Sequence, residues 1–406
     1  MTNPLLVSSI SKIRHGWRQP SVLLPANTLV FGFFVGMIMV LVPLYMYANG
    51  YDIAEIGLVV AAQAVFQLSL RIVAGVVADR YGEQRVITTG YAFMLISALL
   101  FATSSALWLM IVAQLFTGAS RAAYMPASKS YASRIHEKDA AVHLGRTLGG
   151  ATFGSIAGPA AGGLLAAAIG FSGAFVVAAG VGGAGLVLSL LLPALPRHRT
   201  QTMRDALASV PALVRTKATL LPGLIALFVA SSIAVMASVG VVLLRDGVSS
   251  ESTVGFIMGA YAVGATVSSF GFATVLNRLG ARGTFALLFA TIGLGMLSIA
   301  LTHNAFLWTL LAVLFGAGMG LGAALYGLMT AHNSRPHERG VAMAVAGLYW
   351  ATGMLMGPLV YGALAEAIGA ANAIITAAAF PLALALLTPL VFAAIPPHAA
   401  PEPAAA

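Results

Sequence analysis

Cysteine is absent from all 406 residues. Disulfides, thiolate metal sites and cysteine nucleophiles are therefore excluded, and the redox compartment is left open. Charge is nearly as scarce. Asp, Glu, Lys and Arg make up 8% of the chain, against about 25% in a soluble domain, so a water-soluble fold is excluded. Also missing is the apolar and polar alternation, in segments of about 10 residues, that a transmembrane barrel requires. The apolar runs are continuous instead, as from Leu24 to Tyr47. Acidic residues number 12 against 21 basic ones. The net charge of +9 is spread between apolar runs rather than gathered in one patch, which argues against nucleic acid as a partner.

What is abundant is apolar. At 59% hydrophobic, roughly 240 residues must be kept from water, and at about 20 residues per span they supply about twelve membrane-crossing helices. We read the chain as an all-α polytopic membrane protein with 12 transmembrane helices. Runs bounded by Gly, Pro or charge place helix 1 at about 25–48, helix 2 at 55–79, helix 3 at 86–104, helix 4 at 107–134, helix 5 at 142–169 and helix 6 at 172–194. Helices 7 to 12 follow near 219–244, 253–276, 283–302, 306–332, 340–367 and 371–394.

Five regions result: an N-terminal segment (1–24), a first six-helix half (25–195), a polar central loop (196–217), a second half (218–395) and a Pro- and Ala-rich tail (396–406) expected to be disordered. The first segment carries Lys12, Arg14 and Arg18 and lacks the apolar core and cleavage site of a leader. If it is cytoplasmic, the inside also receives Arg80, Arg85, Arg134, Lys138, Arg146, the central-loop cations, Arg278, Arg282, Arg335 and Arg339, and the outside only Arg245. That asymmetry sets both termini on the cytoplasmic side; the expected location is a bacterial inner membrane.

The halves repeat at an offset near 200 residues. Asp79, Arg80 and Gly82 correspond to Asn277, Arg278 and Gly280; Arg134, His136 and Glu137 to Arg335, His337 and Glu338; Gly154, Gly158 and Pro159 to Gly353, Gly357 and Pro358. Two halves in parallel repeat belong, among membrane folds, to transporters that bind substrate between the halves.

Two motifs carry a family resemblance. The string Gly75, Val76, Val77, Ala78, Asp79, Arg80, Tyr81, Gly82, Glu83, Gln84, Arg85 resembles motif A of the major facilitator superfamily. The resemblance implies a conformational switch built on Gly75, Asp79, Arg80, Gly82 and Arg85. Asp79 would face the N-terminus of helix 11 and the arginines would meet loop acids such as Glu137. Helix 5, with Gly145, Gly154, Gly158, Pro159, Gly162 and Gly163, resembles motif C of drug and metabolite antiporters, which is associated with export. Glycines at spacing four permit close backbone approach and Pro159 bends the span, as a hinge between the halves would need. The resemblance covers about residues 20–395. One departure is on helix 4, where exporters of this type carry Arg in the pattern R-x-x-Q-G. This chain has Gln114, Leu115, Phe116, Thr117, Gly118, with an arginine only at Arg121. The family arginine's proton-handling role therefore does not transfer to Arg121.

Arg121 lies roughly 20 Å from either end of helix 4, near the bilayer centre, where a charge marks a pathway. Gln114, Thr117, Arg121, Tyr124 and Ser128 share an arc of about 80°, and Gln63, Gln67 and Arg71 form a second stripe on helix 2. No acidic residue is expected at mid-membrane: Asp52, Glu55, Asp246, Glu251 and Glu366 fall near the outer ends and Asp79 near the inner one. An unpaired guanidinium fits an anionic substrate; the alternative is an arginine bonded to helix carbonyls and water. Lys129 is expected to snorkel to the inner interface. Phe34, Met37, Tyr261, Tyr326, Tyr349 and Trp350 offer an adaptable apolar wall or ordinary packing, and His332 a capping or titrating group.

The candidate binding set is thus Arg121, Gln114, Tyr124, Arg71, Gln67, Gln63, Tyr326, Tyr349 and Trp350. The expected function is secondary transport of a small amphipathic or anionic compound by alternating access in a monomer, with export favoured and protons as a candidate coupling ion. No metal or cofactor is expected, and no Ser, His and Asp set or carboxylate pair points to an enzyme. The rivals are an importer of an organic anion or metal chelate, and a non-transporting receptor.

Overall fold

The computed structural model describes residues 19–103, 105–135, 140–195, 217–248, 250–333 and 339–394, and every regular element among them is a helix. A bilayer offers the backbone no water to bond with, so each apolar span satisfies its N–H and C=O groups within one helix. The first half comprises α1 (Pro20–Ala48), α2 (Ile53–Tyr81), α3 (Glu83–Thr103) and α4 (Leu107–Arg134). A 51-residue segment, Ala140–Leu190, follows and turns back at Gly170. The φ of 75° there is a left-handed value that glycine adopts without a Cβ penalty, and it divides the segment into α5 (140–169) and α6 (171–190).

The second half repeats this plan. α7 runs through Lys217–Val235, a π-helical turn at Met236–Gly240 and Val241–Gly247. Glu251–Leu301 folds back at Gly280 (φ 64°) into α8 (251–279) and α9 (281–301). α10 (Ala305–His332), α11 (Arg339–Ile368) and α12 (Ala370–Leu386, bent by 65° before Thr388–Ala394) complete the set. Among the described residues eight helices are long and apolar enough to cross a membrane, or nine with the bent pair taken as one span. Two of these are the double segments, and α4 falls short because its polar stripe dilutes the apolar run. With them divided and α4 included, the fold is the expected twelve helices in two halves.

Boundaries differ in places. α1 begins at Pro20 rather than at 25, since proline suits the first helical turn, and α2 continues to Tyr81. The N-terminal basic cluster, the loop over 196–216 and the tail from 395 lie outside the described residues.

Each half has its own apolar core. At the heart of the first, Phe31 stacks on Tyr124 with ring centroids 3.8 Å apart, and Tyr91 meets Tyr124 edge-on at 5.3 Å. Asn27 is fully buried beside them. Its Oδ1 accepts from the Tyr124 hydroxyl at 2.7 Å, its amide donates to the Gly185 carbonyl at 3.2 Å, and its carbonyl accepts from the Tyr91 hydroxyl. The cores also exchange side chains. Val40 and Leu44 of α1 sit in the second core and Val242 of α7 in the first.

Helix pairs within each half close to backbone contact. A Cβ on Gly150, Gly154 or Gly158 of α5 would strike the carbonyl of Pro25, Leu29 or Phe33 of α1, giving a seam of spacing four on both sides. The second half repeats the seam, with Gly353 and Gly357 of α11 against Leu227 and Ser231 of α7.

Candidate functional site: a cavity between the halves

Closure at one end and separation at the other define the site. At the end away from the basic loops, Gly57 of α2 meets the Pro358 carbonyl and Gly362 of α11. The related contact joins Gly163 of α5 to the Glu251 carbonyl and Gly255 of α8. The Tyr47 hydroxyl also donates across that end to the Asp246 carboxylate. At the basic end, no described residue comes within 4 Å of a Cβ built on Gly75, Gly145, Gly149 or Gly271. Among the described residues the halves are thus joined at one end and apart at these positions of the other.

Between them lies a cavity of about 480 Å³. Arg121, Gln63 and Gln114 line it from the first half, and Tyr261, Met319 and Trp350 from the second. The Arg121 Nη1 donates to Gln63 Oε1 at 3.1 Å, and Gln63 donates in turn to its own helix at the Val60 carbonyl. Gln114 is buried, and its Oε1 has no protein donor among the described residues. An arginine at a helix centre costs about 2.5–3.5 kcal/mol on insertion scales; an aqueous cavity and one amide partner lower that cost, and most guanidinium donors have no partner among the described residues. Among the described residues no carboxylate lines the cavity and no group of His, Cys, Asp and Glu is placed to hold a metal ion. The two walls differ in chemistry. The repeat offset of 198 that relates Gly118 to Gly316 pairs Gln63 with Tyr261 and Arg121 with Met319, so one wall is cationic and the other aromatic and apolar.

The remaining candidates sit elsewhere. Tyr124 departs from the expected stripe and lies in the first core, bonded to Asn27. Gln67 is buried on α2 outside the lining, with its Oε1 lacking a partner among the described residues. Arg71 reaches across to the second half, where a Cβ on Gly347 of α11 would collide with its guanidinium. It lies within electrostatic reach of Arg121 and Tyr326. Tyr326 stands behind the cavity wall with its ring 5.8 Å from that of Trp350. Tyr349 packs its ring over Gly223 of α7. Phe34 and Met37 are core residues, and Lys129 and His332 are exposed.

The motif residues divide as well. Arg80 and Arg85 are exposed at the basic end, Arg80 lies over the Tyr81 ring at 5.5 Å, and Gly82 turns the chain with φ 96°. The Asp79 side chain and Glu137 lie outside the described residues, and with them the expected clasp. A different acid is buried there. Glu83, the first residue of α3, accepts from the Ser130 hydroxyl at 2.9 Å and pairs with Arg134, tying α3 to α4. It was hidden in the motif A string, where only the helix-start position distinguishes it. In motif C, Gly154 and Gly158 face α1, Gly162 lies beside Met37 of α1, Gly163 faces the other half and Gly145 faces open space. Of these motif residues, Gly163 meets the other half at Glu251 and Gly255, and the Pro159 carbonyl meets it at Gly255. Cavity hydroxyls at Thr152, Ser155, Thr266 and Ser269 were missed, because helical Ser and Thr ordinarily bond their own backbone, as Thr266 does to the Ala262 carbonyl at 2.7 Å.

Two six-helix halves around a central cavity, closed at one end and open at the other, define a membrane carrier. Sequence comparison gives the family: residues 26–249 and 223–406 each match the Major Facilitator Superfamily, and the chain belongs to it. It is similar to the tetracycline resistance protein, class G, of Vibrio anguillarum (25% identity over 80% of this chain and 83% of that one). It is also similar to the synaptic vesicular amine transporter of Bos taurus (25% identity, 78% of this chain, 62% of that one) and to multidrug resistance protein 2 of Bacillus subtilis strain 168 (29% identity). The match to the Bacillus protein spans 36% of its length and that to the amine transporter less than two thirds. The fold is shared with the nucleoside transporter NupG (TM-score 0.74, 16% identity, 92% of this chain and 98% of that one). A POT family transporter in complex with 5-aminolevulinic acid also shares it (TM-score 0.74, 14% identity, 94% and 97%).

Proposed function

We propose that this transporter exports a small amphipathic organic anion across the bacterial inner membrane by rocking its halves about the central cavity, with both termini cytoplasmic. The observation that carries the reading is Arg121, bonded to Gln63 at 3.1 Å in a cavity without a lining carboxylate among the described residues. A carboxylate, sulfonate or phosphate completes the guanidinium's donor set with a planar fork, while Tyr261, Met319 and Trp350 receive the apolar body. Relatives are named for amine transport, tetracycline resistance or multidrug resistance; an amine needs an anionic partner, which the described residues of this cavity wall do not offer. In the proposed orientation the basic end is cytoplasmic and the cavity stands open to it, the loading state of an exporter. Motif C supports the same direction. With no carboxylate lining the cavity among the described residues, proton coupling in this reading runs through groups outside the cavity.

The test pairs aryl carboxylates with their primary amides, measured by binding to purified protein. Charge-assisted hydrogen bonds contribute about 1.5–3 kcal/mol, so Arg121→Gln should weaken the carboxylate by about 10- to 150-fold and the amide hardly at all. Lysine should rescue in part, keeping the charge and losing the fork. Equal loss for both ligands would make Arg121 structural. Flux in vesicles of defined sidedness separates export from import.

A further inference from the structure

We infer that the gap between α5 and α8 is a lateral portal through which an amphipathic substrate enters the cavity from the bilayer leaflet at the basic end. The inference rests on the anion-carrier reading for its substrate and on geometry for its path. α5 and α8 touch at Gly163 and Gly255, and again where a Cβ on Gly259 would stand 3.2 Å from the Ile156 carbonyl. Toward the basic end they diverge. The cavity lining runs out along this divergence to Gly145, Leu148 and Gly149 on one side and Ser269 and Phe270 on the other.

The repeat-related seam, between α2 and α11, is built differently. There Arg71 lays its guanidinium on the surface of Gly347 and fills the space between the helices. The offset of 198 that takes Gly57 to Gly255 takes Arg71 to Ser269, and the offset of 199 that takes Gly357 to Gly158 takes Gly347 to Leu148. A serine cannot span a gap that an arginine does. Among the described residues one seam is therefore plugged and its counterpart left open, although both belong to the same repeat.

The rim of the open seam is apolar: Phe270 is 84% exposed, Val267 67% and Leu148 45%. Side chains of this kind suit contact with acyl chains rather than with water. Inside the rim, the hydroxyls of Thr152, Ser155, Thr266 and Ser269 line the way to Arg121; those of Ser155, Thr266 and Ser269 donate to their own helices and accept from the waters of a hydrated headgroup. An apolar rim over a hydroxylated floor ending at a cation matches a molecule with a lipophilic body and an anionic head. It gives no advantage to a fully hydrophilic anion, for which the open basic end suffices.

The natural absence of cysteine permits a direct test. Met319→Cys places one thiol on the cavity wall. In proteoliposomes its reaction is followed with N-dodecylmaleimide, which partitions into lipid, and with a sulfonated maleimide confined to water. Gly149→Trp adds bulk where nothing described lies within 4 Å, and Gly180→Trp does so on α6, away from the portal. We expect Gly149→Trp to slow the lipid-borne reagent at least tenfold and the aqueous one less than twofold, and Gly180→Trp to change neither. Ser269→Arg, which installs the side chain that plugs the opposite seam, should reproduce the block. Unchanged labelling by N-dodecylmaleimide in both blocking variants, or equal slowing of both reagents, would overturn the portal. The labelling involves no anion recognition, so its failure is distinguishable from a failure of the Arg121 test.

Discussion

Alanine substitutions at two glycines of α5 should differ in sign. At Gly158 an added Cβ would lie 2.9 Å from the Gly36 Cα and 3.0 Å from the Met37 nitrogen, and closer still to the Phe33 carbonyl oxygen. All three are backbone atoms of α1, so relief requires moving a helix rather than rotating a side chain. Overpacking of this kind costs about 1–3 kcal/mol. Against it stands the gain from replacing a helical glycine by alanine, about 0.5–1 kcal/mol. The net effect at Gly158 is a destabilisation of up to about 2.5 kcal/mol. At Gly149, on the same helix, no described residue meets the Cβ, and only the propensity gain of up to about 1 kcal/mol remains. Reversible unfolding in mixed micelles should therefore separate the two variants by about 1–3 kcal/mol. Alanine shifting stability equally at both sites would refute the seam. Leucine at Gly158 raises the overlap further, and should leave the protein inserted but without transport; a Gly158→Leu protein that inserts correctly and transports normally would count against the seam's mechanical role.

Tyr124→Phe should cost about 1–3 kcal/mol of stability by leaving the buried Asn27 Oδ1 without its donor, while carboxylate binding changes less than twofold; lost binding at unchanged stability would return Tyr124 to the cavity. Tyr47→Phe removes the bond to Asp246 that joins the halves at the end away from the basic loops. Because that bond is exposed, about 1 kcal/mol is at stake, which should raise the population open at that end by about fivefold in spin-label distance distributions. Unmoved distances would show that the bond does not hold that end.

The number of spans, the two halves and their repeat were legible in the sequence because each follows from long apolar runs and recurrent glycines. Arg121 was legible for a related reason, since a guanidinium within an apolar run must face water or a partner. Tyr124 was not. It stands three residues from Arg121, and a helical arc of about 80° cannot tell a cavity wall from the core beside it. Asn27 settles that choice, and it lies 97 residues away. Arg71 was placed in the candidate binding set, and the interface between the halves holds it because α11 carries a glycine at 347. The motif C glycines could be read as close-packing, but a spacing has no direction. Their partners depend on how α1 and α8 lie against α5, which no local pattern encodes. The open seam at Ser269 was invisible for the same reason, since a gap is a relation between tilted helices.

The chemistry of Arg121 has an electrical consequence. With no carboxylate on the cavity wall among the described residues, the unloaded site is positive, and a bound monoanion makes it neutral. A transmembrane potential acts on net charge at about 2.3 kcal/mol per elementary charge per 100 mV, scaled by the fraction of the field the site crosses as the open end changes. Rocking of the unloaded protein is then voltage-sensitive, and rocking of the protein loaded with a monoanion is not. On the proposed reading, a negative interior holds the vacant site on its own side, ready to load, and the arriving anion releases it from the field. On that reading the membrane potential biases the resting state without acting on the cargo, and the return stroke, rather than the proposed export stroke, carries the current.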